Sequence, residues 1–212
     1  MKFGEPPPPH VLGQTPAIFR ILPAGATVWR IYFRGGGHPT LWSGFRFYGP
    51  TDSRFDHHLP DVQGHGYFQS RGIMYGAFDL VTCLAEVFQQ KRAVHRVRGA
   101  PWLVSFQLSA PLHLLDLTSV WPTQTGKASA AINTRTRSRA RRWSRAIYEA
   151  YPGVQGLYYA SSMHALRPCV ALYERAVPSI PAFPGAFHRS LADPTWHRVL
   201  RNIADDLGYA LL

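Results

Sequence analysis

Residues 71–90 have the clearest pattern of hydrophobic and polar positions in the chain, because a short apolar run leads directly into a helical periodicity. The run 73–75 follows Gly72 and is typical of a buried strand. Asp79 can begin a helix after this strand by accepting hydrogen bonds from free backbone amides. The pattern therefore predicts a core strand followed by a helix that ends near Lys91.

The predicted helix has an apolar face and, beside it, a polar stripe that contains Glu86. Glu86 shares this stripe with Thr82 and Gln90, because residues four apart lie on the same side of a helix. Periodicity alone makes Glu86 a solvated helix carboxylate. A functional role for Glu86 must therefore rest on other features of the chain. The apolar face consists of Leu80, Leu84, Val87 and Phe88.

Short β-prone segments and two further helices surround this strand and helix. The segments cover residues 17–22, 27–33, 102–108, 112–117, 154–160 and 169–174. Helical periodicity returns over residues 129–151 and again after Asp193-Pro194, which is a strong helix start. Residues 42–70 have the Gly, Pro, Asp and His content of a long functional loop. This mixture predicts an α+β fold.

The chain divides into a short arm and one domain. Residues 1–16 include Pro6 to Pro9 and have little periodicity, which predicts an extended, polyproline-like arm. Residues 17–212 show no internal repeat and no second boundary. Because 46% of the 212 residues are hydrophobic, this part of the chain can bury a sizeable single core.

The charge of the chain is strongly positive. Lysine and arginine number 23 against 12 aspartates and glutamates, a net charge of +11, which predicts attraction to nucleic acid, an acidic protein or a phosphorylated small molecule. The predicted helix over 129–151 is either a solvated basic helix or a surface that docks an acidic partner or a phosphate backbone. Its arginines are Arg135, Arg137, Arg139, Arg141, Arg142 and Arg145.

Histidine and cysteine residues do not define a metal centre or a disulfide framework. Asp56, His57 and His58 lie near His65 in the sequence, but no separate group of Cys or carboxylate residues completes a coordination shell, so no metal is expected. Cys83 and Cys169 each lie in an apolar segment, which predicts buried thiols. With no secretory signal and no membrane-spanning run, the sequence predicts a soluble cytoplasmic protein without a membrane role.

Five residues in separate motifs resemble, in their order, the RES domain, a family of NAD-consuming bacterial toxins related in fold to ADP-ribosyltransferases. Arg30 also has two alternatives, Arg20 and Arg34, in similar surroundings. The matching residues are Arg30 in TVWRIYF as the first-strand arginine, Arg54 in SRFD as the second arginine, Tyr75 in RGIMYGA as the strand tyrosine, Glu86 in LAEVF as the helix glutamate and Ser161 in GLYYASS as the late serine.

The resemblance implies that these five side chains line one cleft that binds NAD as a substrate. It implies an ADP-ribosyltransferase-like fold, with a pair of small, mostly antiparallel sheets and flanking helices. Glu86 would stabilise the ribose cation, and Tyr75 would stack on the nicotinamide or ribose. Arg30 and Arg54, with Arg46 in reserve, would hold the pyrophosphate. Ser161 would bond the ribose or a phosphate, so that Glu86, Arg30 and Tyr75 form the catalytic set.

The resemblance also implies a toxin–antitoxin system with an Xre-type helix-turn-helix antitoxin as partner, and a homo-oligomer is compatible with it. NAD cleavage by water would make the protein a glycohydrolase, and cleavage by phosphate would make it a phosphorylase. An ADP-ribosyltransferase acting on a protein is an alternative. A basic protein that binds nucleic acid through residues 135–145 is another, and an inactive relative that only binds a partner is a third.

Overall fold

One long, mostly antiparallel sheet organises the chain. The structure is a computed structural model that describes residues 4–126, 137–185 and 187–212. In chain order the strands are β1 (Phe19–Leu22), β2 (Thr27–Phe33), β3 (Arg46–Gly49), β4 (Tyr67–Ala77), β5 (Ala93–Val94), β6 (Pro101–Gln107), β7 (Leu112–Asp116), β8 (Gly156–Ala160), β9 (Pro168–Tyr173), β10 (His188–Ser190) and β11 (Ala210–Leu211).

Within the described ranges, nine of these strands form the main sheet in the order β1-β7-β8-β9-β4-β2-β6-β10, with β3 paired to β4. The β7–β8 pair is parallel, and the other pairs of this sheet are antiparallel. Strands β5 and β11 make a separate small parallel sheet. The prediction of two small sheets was therefore wrong. Strand β4 is the reason, because it pairs with β9, β3 and β2 and so joins their strands into one sheet.

Helices flank the sheet, which makes the fold mixed α+β as the sequence predicts. They are α1 (Pro9–Leu12), α2 (Leu80–Phe88), α3 (Trp121–Gln124), α4 (Arg137–Ala150) and α5 (His197–Leu207), with 3-10 turns at Glu174–Ser179 and Pro194–Trp196. Of the helix predicted over 129–151, residues 129–136 lie outside the described part of the chain. No helix among the described residues is both long enough and apolar enough to cross a membrane.

The strand and helix predicted over residues 71–90 are present as β4 and α2. The Asp79 carboxylate accepts a hydrogen bond from the Thr82 amide (2.7 Å) and begins α2. Helix α2 ends at Phe88, three residues before the predicted end at Lys91. The two cysteines, Cys83 and Cys169, are free and buried, as predicted.

Buried side chains pack on both faces of the main sheet, because neighbouring residues of a strand point to opposite faces. In β4, Ile73 packs into the larger cluster, which includes residues of α2, α4 and α5, whereas Met74 packs into the smaller cluster on the other face. The predicted loop over 42–70 is partly regular, since β3 and the first residues of β4 lie within it.

The N-terminal segment packs against α4, and part of it is helical. Residues 9–12 form a helical turn, so the prediction of an extended arm over residues 1–16 does not hold for them. Leu12 is buried in the larger core cluster, and the Tyr151 hydroxyl donates to its carbonyl group (2.8 Å). The Trp143 indole nitrogen donates to the Gly4 carbonyl (2.7 Å). Burial of Leu12 therefore stabilises the packing of this segment against the rest of the domain.

We expect Leu12→Ala to lower the free energy of unfolding by about 2–5 kcal/mol, because it leaves a cavity where a buried leucine packs. Urea denaturation followed by circular dichroism measures this change. Val11→Ala, at the exposed neighbouring position of the same helical turn, is the matched control and should change the free energy by less than about 0.5 kcal/mol. Equal effects of the two substitutions would show that the segment is not part of the core.

Candidate active site

A cavity of about 430 Å³ opens where β2 and β4 separate. The two strands pair at Trp29 and Ala77. The cavity is lined by consecutive residues of both strands, 30–33 and 73–77, and therefore lies between their edges and not against one face of the sheet. Its volume is within the range of about 300–1,000 Å³ that small-molecule sites have.

Arg30 brings a buried positive charge to this cavity. Its guanidinium donates to the carbonyl groups of Trp42 (2.9 Å) and Gly44 (2.8 Å), and the side chain is almost completely buried. Burial lowers the pKa of Arg30 to about 10, so that it stays charged at neutral pH. Among the described residues no carboxylate forms an ion pair with it. A buried cation without a counter-ion favours an anionic ligand.

The alternatives to Arg30 lie elsewhere. Arg20 forms an ion pair with Asp116 (3.3 Å), and Arg34 lies over the Trp102 ring, 3.7 Å from its centroid. Neither side chain lines the cavity. Of the three arginines that the sequence offers for the first position, Arg30 is therefore the one at the candidate site.

Arg46 and Arg54 both line the cavity, but their charges differ in availability. Arg46 is paired with the buried Asp56 carboxylate (2.9 Å) and also donates to the Tyr48 carbonyl group. The Arg54 guanidinium donates to the neutral Ser162 hydroxyl (2.5 Å) and forms no ion pair with a described carboxylate. Arg54 is thus better suited than Arg46 to bind an added anion, because its charge is not already neutralised.

The Asp56 carboxylate holds the loop that carries Arg54. One of its oxygens accepts from the His58 amide (3.0 Å) and from His58 Nδ1 (2.5 Å). The other accepts from Arg46 and from the Thr51 amide (2.7 Å) and hydroxyl (2.8 Å). Burial raises the pKa of Asp56, but the His58 hydrogen bond and the Arg46 charge outweigh burial and keep that pKa below its usual range. The loop is therefore closed around a buried anion.

His57 is a buried histidine whose ring packs between two tyrosine rings. Its ring stacks on Tyr148, with centroids 4.4 Å apart, and packs against Tyr173 at 4.5 Å. Burial lowers the pKa of His57 to about 2, with a further contribution from His58. In the ranges that the structure describes, no three His, Cys, Asp or Glu side chains form a group that could hold a metal ion.

Tyr75 lines the cavity with a buried hydroxyl group. Burial raises the pKa of Tyr75, and the nearby Asp56 raises it further. The positive charge of Arg46 lowers this pKa in part, and the Phe55 backbone and the Ser53 side chain contribute less, although neither of these two makes a hydrogen bond of ordinary geometry with the hydroxyl. Tyr75 therefore stays protonated at neutral pH and can donate to a ligand through its hydroxyl group.

Glu86 and Ser161 are in direct contact at the edge of the cavity. The Ser161 hydroxyl donates to one Glu86 oxygen (2.5 Å) and accepts from the amides of Met163 (3.1 Å) and His164 (3.0 Å). The Gln89 side chain donates to the other Glu86 oxygen (3.3 Å). Glu86 lines the cavity, whereas Ser161 is fully buried behind it. The contact of Ser161 with ribose or phosphate stays a prediction.

Two arginines of the run on α4 form ion pairs with carboxylates of the same chain. Arg141 pairs with Asp52 (3.2 Å) and Arg142 pairs with Glu5 through two bonds of 2.5 Å. Arg137 lines the cavity, which sequence reasoning did not predict. The excess of arginine in this helix was its only sequence signal. Arg135 lies outside the described residues.

These observations define a class of protein: a mixed α+β domain whose main sheet opens between β2 and β4. The cavity at this opening is lined by guanidinium groups and by a carboxylate. The chain belongs to the RES domain family, whose family model matches residues 27–197. No curated protein matches the sequence.

A solved structure shares the fold. It is titled as the crystal structure of the M. tuberculosis MbcT-MbcA toxin-antitoxin complex. The match has a TM-score of 0.54 and 16% sequence identity, and it covers 86% of this chain and 92% of that one. At this identity the likeness shows a common fold.

We expect Asp56→Asn to lower the free energy of unfolding by about 3–5 kcal/mol at pH 7, because it leaves Arg46 and His58 without their buried anion. The pKa of Asp56 is lower in the folded protein than in the unfolded chain, where it is about 4. Ionised Asp56 therefore stabilises the folded state above about pH 4, and this stabilisation is lost progressively as the pH falls below about 4. Urea denaturation between pH 7 and pH 3 should show this loss in the wild type and a weaker pH dependence in Asp56→Asn. Asp206→Asn, on the exposed side of α5, is the control.

His57 predicts a second pH dependence. The unfolded chain binds a proton at this histidine below about pH 6.5, whereas the folded protein does not, so stability should fall by about 1.4 kcal/mol per pH unit below that pH. His57→Phe keeps an aromatic ring between the tyrosines and should remove this slope between pH 6.5 and pH 5. The exposed His65→Gln serves as control. An unchanged slope in His57→Phe would contradict a buried neutral histidine.

Proposed function

We propose that this protein degrades NAD by cleaving the bond between nicotinamide and ribose. The observation that carries the proposal is the Glu86 carboxylate, fixed by Ser161 at 2.5 Å on the edge of a cavity with arginines that lack a carboxylate partner among the described residues. Such a site offers one negative group for a developing cation and several positive groups for a diphosphate. Membership of the RES domain family supports NAD as the substrate and an ADP-ribosyltransferase-like fold.

The chemistry of NAD needs what Glu86 can provide. The nicotinamide of NAD is already cationic, so that it leaves as a neutral base and needs no proton from the enzyme. The ribose then carries positive charge in the transition state, and a nearby carboxylate stabilises this charge, as carboxylates do in glycoside hydrolysis. Glu86 has this role, and its hydrogen bonds from Ser161 and Gln89 hold it in position.

The remaining residues bind the rest of the substrate. Arg54 donates to the pyrophosphate as a planar fork, and the buried charge of Arg30 adds to the positive potential of the cavity. Tyr75 packs its ring on the nicotinamide or ribose and donates its hydroxyl proton to a polar group of the ligand. Arg30, Tyr75 and Glu86 together form the proposed catalytic set.

The acceptor determines the class of the reaction. Water gives ADP-ribose and makes the protein a glycohydrolase, whereas inorganic phosphate gives ADP-ribose phosphate and makes it a phosphorylase. Transfer to a protein makes it an ADP-ribosyltransferase. Separation of the products after incubation with NAD, with and without phosphate, identifies the acceptor.

We propose further that this NAD degradation serves as the toxin activity of a toxin–antitoxin pair in the cytoplasm. An Xre-type helix-turn-helix protein is the proposed neutralising partner. Support comes from the RES domain family and from the shared fold with a chain of a toxin–antitoxin complex. The nucleic-acid alternative has less support, because Arg141 and Arg142 of the arginine run form ion pairs within the protein.

We expect Glu86→Gln to reduce the rate of nicotinamide release from NAD by roughly 10²–10³-fold or more, because the neutral amide cannot stabilise the ribose cation. Liquid chromatography of the released nicotinamide measures this rate. Glu149→Gln, which neutralises a partly exposed carboxylate of α4, is the control and should keep the wild-type rate. Wild-type activity in Glu86→Gln would remove the proposed mechanism, and absence of NAD cleavage by the wild type would remove the proposed function.

A further inference from the structure

Arg137 stands apart from the other charged side chains of α4. Arg141 and Arg142 are neutralised by carboxylates, whereas Arg137 lines the cavity that also contains Glu86 and Arg54. Two arginines of this run therefore pair with carboxylates of the protein, and Arg137 lies at the candidate site.

The contacts of Arg137 leave its charge available. Its guanidinium donates to the Gln89 side-chain oxygen (3.0 Å) and more weakly to the Asp52 carbonyl oxygen (3.4 Å). Both acceptors are neutral, and no described carboxylate forms an ion pair with Arg137. Most of its N–H donors therefore remain for a ligand, and the full positive charge acts on the cavity.

The neighbours of Arg137 locate it between the two ends of the site. Gln89, which accepts from Arg137, also donates to the Glu86 carboxylate (3.3 Å), so that one side chain separates the arginine from the acid. On its other side Arg137 contacts the backbone of Asp52, two residues before Arg54. An anion bound by Arg137 would thus lie beside the ribose at Glu86 and on the same rim as Arg54.

The other cavity arginines are less suited to bind a phosphate. Arg46 is neutralised by Asp56, and Arg30 uses its guanidinium on two backbone carbonyl groups. Arg54 and Arg137 are the cavity arginines of the described residues that combine an uncompensated charge with few hydrogen bonds. A guanidinium binds phosphate with paired N–H donors, and two such groups match the two phosphates of a dinucleotide.

We propose that Arg137 binds the pyrophosphate of the dinucleotide substrate together with Arg54. This inference rests on the proposed function, because it names the part of NAD that Arg137 holds. Since the pyrophosphate keeps its charge throughout the reaction, Arg137 binds ground state and transition state alike and acts mainly on KM. Arg137 also gives the basic helix α4 a direct part in substrate binding.

The test compares Arg137→Gln, Arg137→Lys and Arg141→Gln. Arg137→Gln should raise KM for NAD by on the order of 10-fold to 100-fold with a smaller change in kcat, since a hydrogen bond to a charged group is lost. Arg137→Lys keeps the positive charge but not the planar guanidinium, so its KM should lie between those of the wild type and Arg137→Gln. Arg141→Gln removes the other contact of α4 with Asp52 without touching the cavity, so it should keep the wild-type KM.

A binding measurement separates this inference from the proposed reaction. Isothermal titration calorimetry with ADP-ribose, which has the diphosphate but no nicotinamide, should give a dissociation constant that Arg137→Gln raises by a similar factor. Unchanged ADP-ribose binding and an unchanged KM in Arg137→Gln would overturn the inference. An equal loss of affinity in Arg141→Gln would also overturn it, because the effect would then come from the loop at Asp52 that both arginines contact. If Arg137→Gln weakens ADP-ribose binding while the wild type cleaves no NAD, the proposed reaction fails and the diphosphate site stands.

Discussion

The candidate site depends on one buried anion, the Asp56 carboxylate. It accepts hydrogen bonds from both ends of the loop that carries Arg54, at Thr51 and His58, and it pairs with Arg46 of β3. A buried carboxylate is stable only when hydrogen bonds or ion pairs compensate for its lost hydration. Thr51 and His58 can both donate to Asp56 when the loop between them is folded around the carboxylate. Because Asp56 uses the Arg46 charge, it also decides which arginine remains free for a ligand.

Burial and ion pairing consequently give several of the described arginines different surroundings. Arg141 and Arg142 attach α4 to the loop at Asp52 and to the N-terminal segment at Glu5. Arg30 keeps a buried charge, and its hydrogen bonds to described residues go to two backbone carbonyl groups. Such an arrangement disfavours the empty cavity relative to one that contains an anion, since a bound phosphate would offset the desolvation of the guanidinium groups.

Local patterns predicted the elements of the fold better than their assembly. The Asp79 cap and the polar position of Glu86 follow from helical periodicity, which acts within a few residues. The nine-stranded main sheet could not be predicted, because it depends on the three partners of β4, which lie in separate parts of the chain. The position of Arg137 at the cavity could not be predicted either, because it depends on contacts with Gln89 and Asp52, which are 48 and 85 residues away in the chain.

Contacts between two segments hold the Glu86 carboxylate in place. Helix α2 and the loop after β8 are joined twice: Ser161 donates to Glu86, and the His164 ring contacts the Thr82 hydroxyl (2.7 Å). Thr82 donates its own proton to the Asp79 cap (2.8 Å), so His164 Nδ1 must be the donor in this contact. Ala165 has a φ of 43°, a left-handed conformation that costs energy for a residue with a side chain. These contacts fix the loop in this strained form, and through Ser161 they hold the Glu86 carboxylate at the cavity.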